Sequence, residues 1–191
     1  MHVLSAIVEK KTEEGNKSET ETFDYSYTGS NIPYLSRITT SWNNNTSKRI
    51  DYQVNAVNTY GKPTEIVSCG MTSALFWGFK GQRLLAKIDN CTLAEAERHI
   101  RNENDFSSCL NSLEIPFEDF GYRYTLKNSL CHLYMYDTNM NLISEILPNG
   151  QSVLYKYDGM GRLREKYYYE TSNNEPWSLK HVLNRYDYYY K

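Results

Sequence analysis

Histidine and cysteine are the first side chains to consider as nucleophiles, bases or metal ligands in this chain of 191 residues. No two cysteines form a C-x-x-C pair, which disfavours a zinc site. Cys131 and His132 are adjacent, so on a strand they would point to opposite faces. Because no third, orienting group is identifiable, we predict no catalytic residue, no metal and no cofactor. A structural or surface role is predicted for the histidines: His2, His99, His132 and His181.

The cysteines are more simply explained as packing residues. A chain of this length can bury a core without disulfides, and free cysteine behaves as a small apolar side chain. We therefore predict four buried thiols, with a bridge between Cys91 and Cys109 as the open alternative. The four are Cys69, Cys91, Cys109 and Cys131.

A second candidate for chemistry is the string YDGMGR at residues 157 to 162. It lacks the pattern of a phosphate-binding loop, as does GFKG at residues 78 to 81. The Asp158 carboxylate can instead accept backbone N–H groups just downstream, while Gly159 and Gly161 can adopt positive φ. The string is therefore predicted to be a hairpin turn rather than a reactive site.

The flanking residues extend this turn into a full hairpin. Asn149-Gly150 is a strong signal for a two-residue hairpin turn. Val153, Tyr155 and Tyr157 alternate along one strand, and tyrosines on the return strand can form cross-strand aromatic pairs with them. Residues 147 to 170 are thus interpreted as a turn, a strand, a second turn and a return strand.

Strand patterns dominate the chain and indicate how such hairpins are arranged. Apolar and polar residues alternate in residues 19–28, 34–40 and 50–57, and residues 64–79 read as two strands joined near Cys69-Gly70. Polar or Gly-Pro turns separate them at residues 43–49 and 60–63. Short turns between successive strands predict an antiparallel meander.

One segment has the periodicity of a helix instead. Thr92 is a candidate N-cap with Glu95 three residues later, a capping box, and a helix is predicted from 92 to 102. Its apolar face would comprise Leu93, Ala96 and Ile100. A second, weaker helix is predicted from Asp105 and should end before Pro116. Residues 92–115 would then be a helical insertion that covers a sheet face or edge.

The hairpin unit recurs at a regular interval. Tyr134 to Leu142 aligns with Tyr155 to Leu163 at an offset of 21 residues. Residues 75–82 keep the aromatic and glycine positions, and residues 57–62 keep a fainter version. The position of Gly161 is occupied in the other units by Gly61, Gly81 and Met140.

The repeated pattern YxYDxxGRL resembles the signature of YD-repeat (Rhs) proteins, which are large exported or surface proteins with a spiralling β-sheet. Residues 75–92 are similar to a segment that precedes the last YD repeats of such proteins from Bacteroidetes, and the closing RYDYYYK is similar to their C-termini. The resemblance implies a structural role for the motif residues, Tyr134, Tyr136, Asp137, Tyr155, Tyr157, Asp158, Gly161, Arg162, Leu163, Trp77 and Gly81.

Several departures from the family pattern limit what it implies. Met140 and Asn141 stand where glycine and arginine are expected, and Gly78 replaces the aspartate beside Trp77. We identify no counterpart of the family's self-cleaving core region and no toxin domain. With about four units, the chain is interpreted as the tail of a longer protein or as a stand-alone remnant of a toxin-encapsulating shell.

The sequence therefore predicts a mainly β, antiparallel meander of YD-repeat hairpins that forms an extended curved sheet. Residues 1–191 would be one domain, with a short helical insertion at about 92–113. The family resemblance implies that its role is a non-enzymatic scaffold segment of a secreted or cell-surface protein. Its predicted partners are the rest of a larger YD-repeat protein or a second copy, paired through sheet edges.

The composition argues against nucleic acid as a partner and against a membrane span, and it leaves one alternative function. The net charge of -2 gives no attraction for nucleic acid, and no apolar run approaches the length of a membrane span. The alternative function is a carbohydrate-binding surface module, because exposed aromatic rings can stack on sugars. The candidate glycan-binding residues are Trp42, Tyr168, Trp177, Tyr188 and Tyr190.

Overall fold

The structure is a computed structural model that describes residues 6–43, 47–101, 126, 128–170 and 179–188. These residues form twelve β-strands and one α-helix. In chain order the elements are β1 (Glu9–Glu14), β2 (Lys17–Tyr27), β3 (Pro33–Trp42), β4 (Arg49–Val57), β5 (Pro63–Ser68), β6 (Met71–Gly78), β7 (Arg83–Asp89), α1 (Leu93–Arg101), β8 (Leu130–Tyr136), β9 (Leu142–Ile146), β10 (Ser152–Tyr157), β11 (Leu163–Glu170) and β12 (Leu179–Arg185).

The predicted antiparallel meander is confirmed. The strands lie in one sheet in the order of the sequence, so each internal strand is hydrogen-bonded to the strand before it and the strand after it. Two compact units divide the chain. Unit 1 comprises residues 1–75 and 89–98, and unit 2 comprises residues 76–88 and 99–191. The prediction of one domain from 1 to 191 stays a prediction.

Strands β1 and β12 were not expected from the sequence. The six residues of β1, EKKTEE, include five charged side chains and no apolar alternation, yet they pair in register with β2 from Glu9↔Thr22 to Glu14↔Lys17. All six side chains are exposed. A strand can thus form without an apolar face when a longer neighbour supplies the hydrogen-bonding edge.

Helix α1 begins where the capping residue predicted it. The Thr92 hydroxyl accepts the backbone N–H of Glu95 at 3.2 Å. The backbone N–H of Leu93, the first residue of the helix, donates at 2.8 Å to Glu65 Oε2 on β5 rather than to a side chain of the helix itself. A carboxylate at this position also lies at the favourable, positive end of the helix dipole. The second predicted helix, from Asp105, lies outside the described residues.

The cores of the two units consist mainly of aliphatic side chains and alanines. In unit 1, Ala74 and Ala96 are fully buried, and a polar pair is also buried, in which the Ser73 hydroxyl donates to Asp89 Oδ1 at 2.5 Å. The buried residues of unit 2 include Leu85, Ala86, Ile88, Leu133, Ile146 and Val153.

The prediction of buried cysteines is correct for two of them and wrong for one. Cys91 and Cys131 are buried free thiols, whereas Cys69 is exposed. Cys69 and Gly70 form the two-residue turn between β5 and β6, with φ of 50° and 82°. Positive φ at both central residues is the signature of a type I′ turn, and such a turn projects its side chains into solvent. Cys109 lies outside the described residues.

Five hairpin loops share one backbone geometry. In each, the first N–H donates to the fifth carbonyl, the fourth N–H donates to the first carbonyl, and the fourth residue has positive φ. This is the three-residue hairpin loop in which a type I turn is followed by a left-handed residue. The loops are residues 28–32, 58–62, 137–141, 147–151 and 158–162, and their fourth residues are Asn31, Gly61, Met140, Gly150 and Gly161.

This geometry corrects two predictions about glycine. Asn149-Gly150 is not a two-residue turn, because the type I turn runs from Leu147 to Gly150, with Pro148 as its second residue, where the fixed φ of proline fits. In loop 158–162, Gly161 has φ 75°, whereas Gly159 does not adopt positive φ. The break at residues 30–33 was predicted from the sequence SNIP, but the shared geometry of loop 28–32 was not, because its first residue is Thr28 rather than aspartate or asparagine.

Gly61 and Gly161 give a matched test of this loop geometry. A Cβ on Gly161 would have no atom within 4 Å, but a Cβ on Gly61 would lie 2.7 Å from Ile32 Cγ2. We expect Gly161→Ala to lower the free energy of unfolding by about 1 kcal/mol through backbone strain alone. Gly61→Ala should lower it clearly further, because the rigid β-branched Ile32 must also move. Denaturant unfolding of both variants measures the difference, and equal losses would show that the two loops do not pack as described.

Candidate functional site

The YD motif of loop 158–162 is built around one carboxylate. Asp158 Oδ1 accepts the backbone N–H groups of Met160 at 2.9 Å and Arg162 at 3.0 Å. Its second oxygen accepts Arg162 Nε at 2.8 Å and lies 2.6 Å from the terminal guanidinium nitrogen. The side-chain hydrogen bond of Arg162, followed by the two backbone N–H groups, holds the pKa of Asp158 below its usual value. Both carboxylate oxygens are therefore occupied within the loop.

Two other loops repeat this arrangement with different side chains. Asp137 Oδ1 accepts the N–H groups of Asn139 and Asn141 at 2.9 and 2.8 Å, and the Asn141 amide takes the place of the arginine. Asn58 Oδ1 accepts the N–H groups of Tyr60 and Lys62, both at 3.0 Å. An amide oxygen thus serves as well as a carboxylate oxygen for the two backbone contacts, and the charge is needed only where arginine follows.

The Trp77 unit does not form this loop. Phe79, Lys80 and Gly81 all have positive φ, and the N–H of Gln82 donates to Gly78 O at 3.1 Å. Gly78 carries no side chain that could accept N–H groups, and a Cβ there would lie 2.5 Å from Leu85 Cδ1. Close packing against Leu85 therefore explains why this position differs from the aspartate of the other units.

Three tyrosine hydroxyls among the described residues of unit 2 join the end of one strand to the start of the strand before it. Each donates to the backbone carbonyl of a leucine, a contact that we call the tyrosine latch. Tyr157 donates to Leu142 O at 2.8 Å in the middle latch. The other two latches join Tyr136 to Leu84 O at 2.9 Å and Tyr188 to Leu163 O at 2.8 Å.

An arginine accompanies two of the three latches. The Arg162 guanidinium lies 4.3 Å from the centre of the Tyr188 ring, and the Arg83 guanidinium lies 5.9 Å from that of Tyr136. Both distances fit a cation–π contact. Arg162 thus neutralises Asp158 in its own loop and covers the tyrosine of the next strand. This double contact gives a physical reason for arginine at the end of the motif.

The structure also assigns Tyr188 a repeat position that the sequence concealed. The dipeptide Tyr186-Asp187 looks like another YD pair. Its backbone, however, continues the β11–β12 ladder, with Tyr186 N donating to Arg164 O at 2.9 Å. Tyr188 rather than Tyr186 forms the latch, so residues 186–188 match the YxY spacing of 155–157. The YxY spacing was the sequence signal for the role of Tyr188, and the resemblance of Tyr186-Asp187 to a YD pair obscured it.

Next to this last latch lies an open depression of about 460 Å³. Its lining combines two tyrosines, two arginines and two aspartates: Asp158, Arg162, Arg164, Tyr186, Asp187 and Tyr188. Asp158 and Arg162 are engaged with each other, whereas Arg164 and Asp187 are exposed at the rim. The depression is therefore lined by residues of loop 158–162, of β11 and of the segment that follows β12.

A buried carboxylate that the sequence did not single out fastens β12 to β11. Glu165 is only 4% exposed, and its oxygens contact Lys180 and, at 3.2 Å, Arg185. The Lys180 hydrogen bond is the largest contribution that holds the pKa of Glu165 below its usual value, and the Arg185 charge adds to it. In the sequence Glu165 looked like one more polar residue on a strand, because its partners are 15 and 20 residues away.

Three of the five candidate glycan-binding residues, Trp42, Tyr168 and Tyr188, lie within the described residues. Trp42 has the Arg49 guanidinium 4.8 Å from its ring centre, and Tyr168 stacks on His181 with ring centres 4.8 Å apart and planes inclined by 10°. Tyr188 forms the last latch. Trp177 and Tyr190 lie outside the described residues. A glycan-binding role for these side chains stays a prediction.

The two described histidine side chains contact acidic residues. His181 Nε2 lies 2.9 Å from Glu170 Oε2. His132 Nδ1 lies 3.6 Å from Glu145 Oε1, while the other oxygen of Glu145 accepts the Tyr155 hydroxyl at 2.9 Å. Burial and this bond to Glu145 raise the pKa of Tyr155. His2 and the side chain of His99 lie outside what the structure describes.

Within the described residues, no group of three or more His, Cys, Asp or Glu side chains is arranged to hold a metal ion. The same part of the chain contains no helix long and apolar enough to cross a membrane.

No protein-family model matches the chain. No curated protein matches it in sequence. Among solved structures, it is similar to a chain of the TcdB2-TccC3-Cdc42 crystal structure, with 12% identity and a TM-score of 0.45 over 86% of this chain and 7% of that one. It is also similar to a chain of the Photorhabdus luminescens Tc holotoxin pore, with 15% identity and a TM-score of 0.45 over 89% of this chain and 7% of that one. The chain thus spans a small fraction of the length of these structures.

Asn58 shows which substitution should preserve the loop at Asp158. We expect Asp158→Asn to keep the two backbone contacts and to lose only the arginine ion pair, whereas Asp158→Ala should lose both. The thermal midpoint at neutral pH should therefore fall further in Asp158→Ala than in Asp158→Asn. Equal midpoints for the two variants would mean that the backbone contacts contribute nothing.

The pH dependence of the same variants follows from the lowered pKa of Asp158. A carboxyl whose folded pKa lies below its unfolded pKa contributes stability above the unfolded value and loses it as pH falls through the folded value. The gap in thermal midpoint between the wild type and Asp158→Asn should accordingly narrow as the pH falls below the ordinary aspartate pKa of about 3.9. A gap that stays constant with pH would contradict the ion pair.

The middle latch can be tested by removing one hydroxyl. Tyr157→Phe keeps the ring but leaves Leu142 O without its donor, which should lower the free energy of unfolding by about 1 kcal/mol. Tyr169→Phe is the matched control, since Tyr169 contacts Tyr167 through its ring at 5.6 Å and is exposed. Denaturant unfolding should separate the two variants, and a control as destabilised as Tyr157→Phe would argue against the latch.

Proposed function

We propose that this chain is a non-enzymatic structural segment of a larger, exported or cell-surface YD-repeat protein. The observation that carries the proposal is how the motif side chains are used. Tyrosine, aspartate and arginine, the residues that could have done chemistry, are each engaged in contacts within a hairpin or between neighbouring hairpins. The motif residues therefore serve to stabilise the hairpins and to join neighbouring ones.

The loop carboxylates support this role over catalysis. A general acid or base needs a pKa near the working pH and access to the substrate proton. Asp158 and Asp137 have lowered pKa values, and both oxygens of each accept hydrogen bonds from within the loop. At neutral pH these groups stay ionised and occupied, which suits a turn and not proton transfer.

The repetition of the latch supports a segment that is one part of a longer array. Each latch joins a strand to the hairpin before it, so every added hairpin extends the sheet by the same contacts. Repeat architectures gain stability in this nearest-neighbour manner. The exported or cell-surface setting, and the origin in a toxin-encapsulating shell, are proposed from the resemblance of the YxYDxxGRL pattern.

The proposal is tested in cells that make the protein. An antibody raised against the folded segment should detect a polypeptide clearly larger than the 22.4 kDa of this chain, in the culture medium or on intact cells. Protease added to intact cells should remove a surface signal, and an antibody to a cytosolic protein provides the control for lysis. A single band at the size of the segment, protected inside the cells, would overturn the proposal.

A further inference from the structure

The depression beside the last tyrosine latch contains two charges that the loop does not use. Its volume of about 460 Å³ is in the range of small-ligand sites. Asp158 and Arg162 in its lining are bound to each other. Arg164 and Asp187 are exposed, and within the described part of the chain neither forms an ion pair. The depression therefore offers one free cation and one free carboxylate.

Two tyrosine rings supply the aromatic part of the lining. Tyr186 and Tyr188 are 41% and 44% exposed. The Tyr188 hydroxyl is held by Leu163 O at 2.8 Å, and the Arg162 guanidinium lies 4.3 Å from the centre of its ring. The ring is thus fixed in place before any ligand arrives, which lowers the entropic cost of binding.

The free charges are not required by the repeat. At the equivalent positions of the preceding unit, Ile143 replaces Arg164 and Lys156 replaces Asp187. The tyrosine latch nevertheless forms in both units. The joining of the hairpins therefore does not depend on an arginine or an aspartate at these two positions.

The depression also does not rely on an unpaired strand edge. Arg164 is on β11, which is hydrogen-bonded to β10 on one side and to β12 on the other. Side chains of an internal strand point out of the plane of the sheet. A further strand beside β12 would pair with backbone groups in that plane. The depression is therefore a feature of the sheet face.

We propose that this depression binds an acidic sugar, a ring that carries one carboxylate and several hydroxyl groups. The carboxylate pairs with the Arg164 guanidinium, whose planar fork suits two parallel hydrogen bonds. The apolar C–H face of the sugar lies against the Tyr186 ring, and the Asp187 carboxylate accepts sugar hydroxyls. Asp187 also repels ligands with closely spaced negative charges, such as a phosphate backbone or an acidic peptide.

This inference adds a ligand to the structural role proposed above, and the two can fail separately, because binding is measured on the purified chain. The test is an NMR titration with methyl glucuronoside, which carries one carboxylate. We expect the backbone resonances of residues 158–164 and 186–188 to shift. Methyl glucoside, the same ring without the charge, should have a Kd roughly tenfold or more higher.

A triglutamate peptide distinguishes an acidic sugar from an acidic peptide. It carries carboxylates but no sugar ring, so it should bind more weakly than methyl glucuronoside. Binding of the peptide as tight as that of the glucuronoside, or no shift with the glucuronoside, would overturn the proposal.

Matched variants locate the site. Arg164→Ile introduces the residue that the preceding unit carries, so the hairpin should fold, and the Kd for methyl glucuronoside should rise roughly tenfold or more. Lys156→Ile is the control, since it also removes one exposed cation. Lys156 alternates with Tyr155 and Tyr157 along β10 and therefore lies on the opposite face of the sheet from them. An equal effect of both variants would contradict binding at Arg164.

The titration of the wild type decides the question if Arg164→Ile fails to fold. Shifts that centre on residues 158–164 and 186–188 would support the site. Shifts confined to other residues would overturn it.

Discussion

A tyrosine hydroxyl that donates to a leucine carbonyl of the preceding hairpin is the contact on which the order of unit 2 depends. Hairpins of five to eight residues per strand are marginal by themselves, and an open sheet has little enclosed volume in which to bury a core. The latch adds a directional contact at the point where one hairpin meets the next. It therefore fixes the register of each new strand relative to the strand already in place.

The latches of Tyr157 and Tyr188 in turn depend on the loops that precede their acceptor leucines. Loops 137–141 and 158–162 place these leucine carbonyls because the first side chain of each loop accepts two backbone N–H groups and the fourth residue has positive φ. Arg162 connects the loop to the latch, since its guanidinium binds Asp158 and lies over the ring of Tyr188. A chain that loses the aspartate loses the partner of the arginine, so the motif residues are expected to act together.

The sequence predicted the type of fold well because period-two alternation and turn residues are local signals. It located the hairpins of residues 19–68 and 134–163, the capping residue Thr92 and the turn at Cys69-Gly70. It placed a break between the strands at 19–28 and 34–40 but did not foresee the loop geometry that Thr28 shares with the other units, and it missed β1, which has no apolar alternation. It misjudged Asn149-Gly150 because Pro148 moved the turn, and it overlooked Glu165 because its partners are distant in the chain.

The contrast between local signals and contacts with distant residues also explains why the first and last described strands were the hardest to predict. A strand inside the meander forms backbone hydrogen bonds with a neighbour on each side, so it can form even when its own sequence pattern is weak. An edge strand is specified by one neighbour only, and its remaining backbone groups face whatever lies beyond. The charges of β1 make solvent an acceptable neighbour there, because each charged side chain stays hydrated. Strand β12 is held by β11 instead, because Glu165 contacts both Lys180 and Arg185 and the Tyr168 ring stacks on His181.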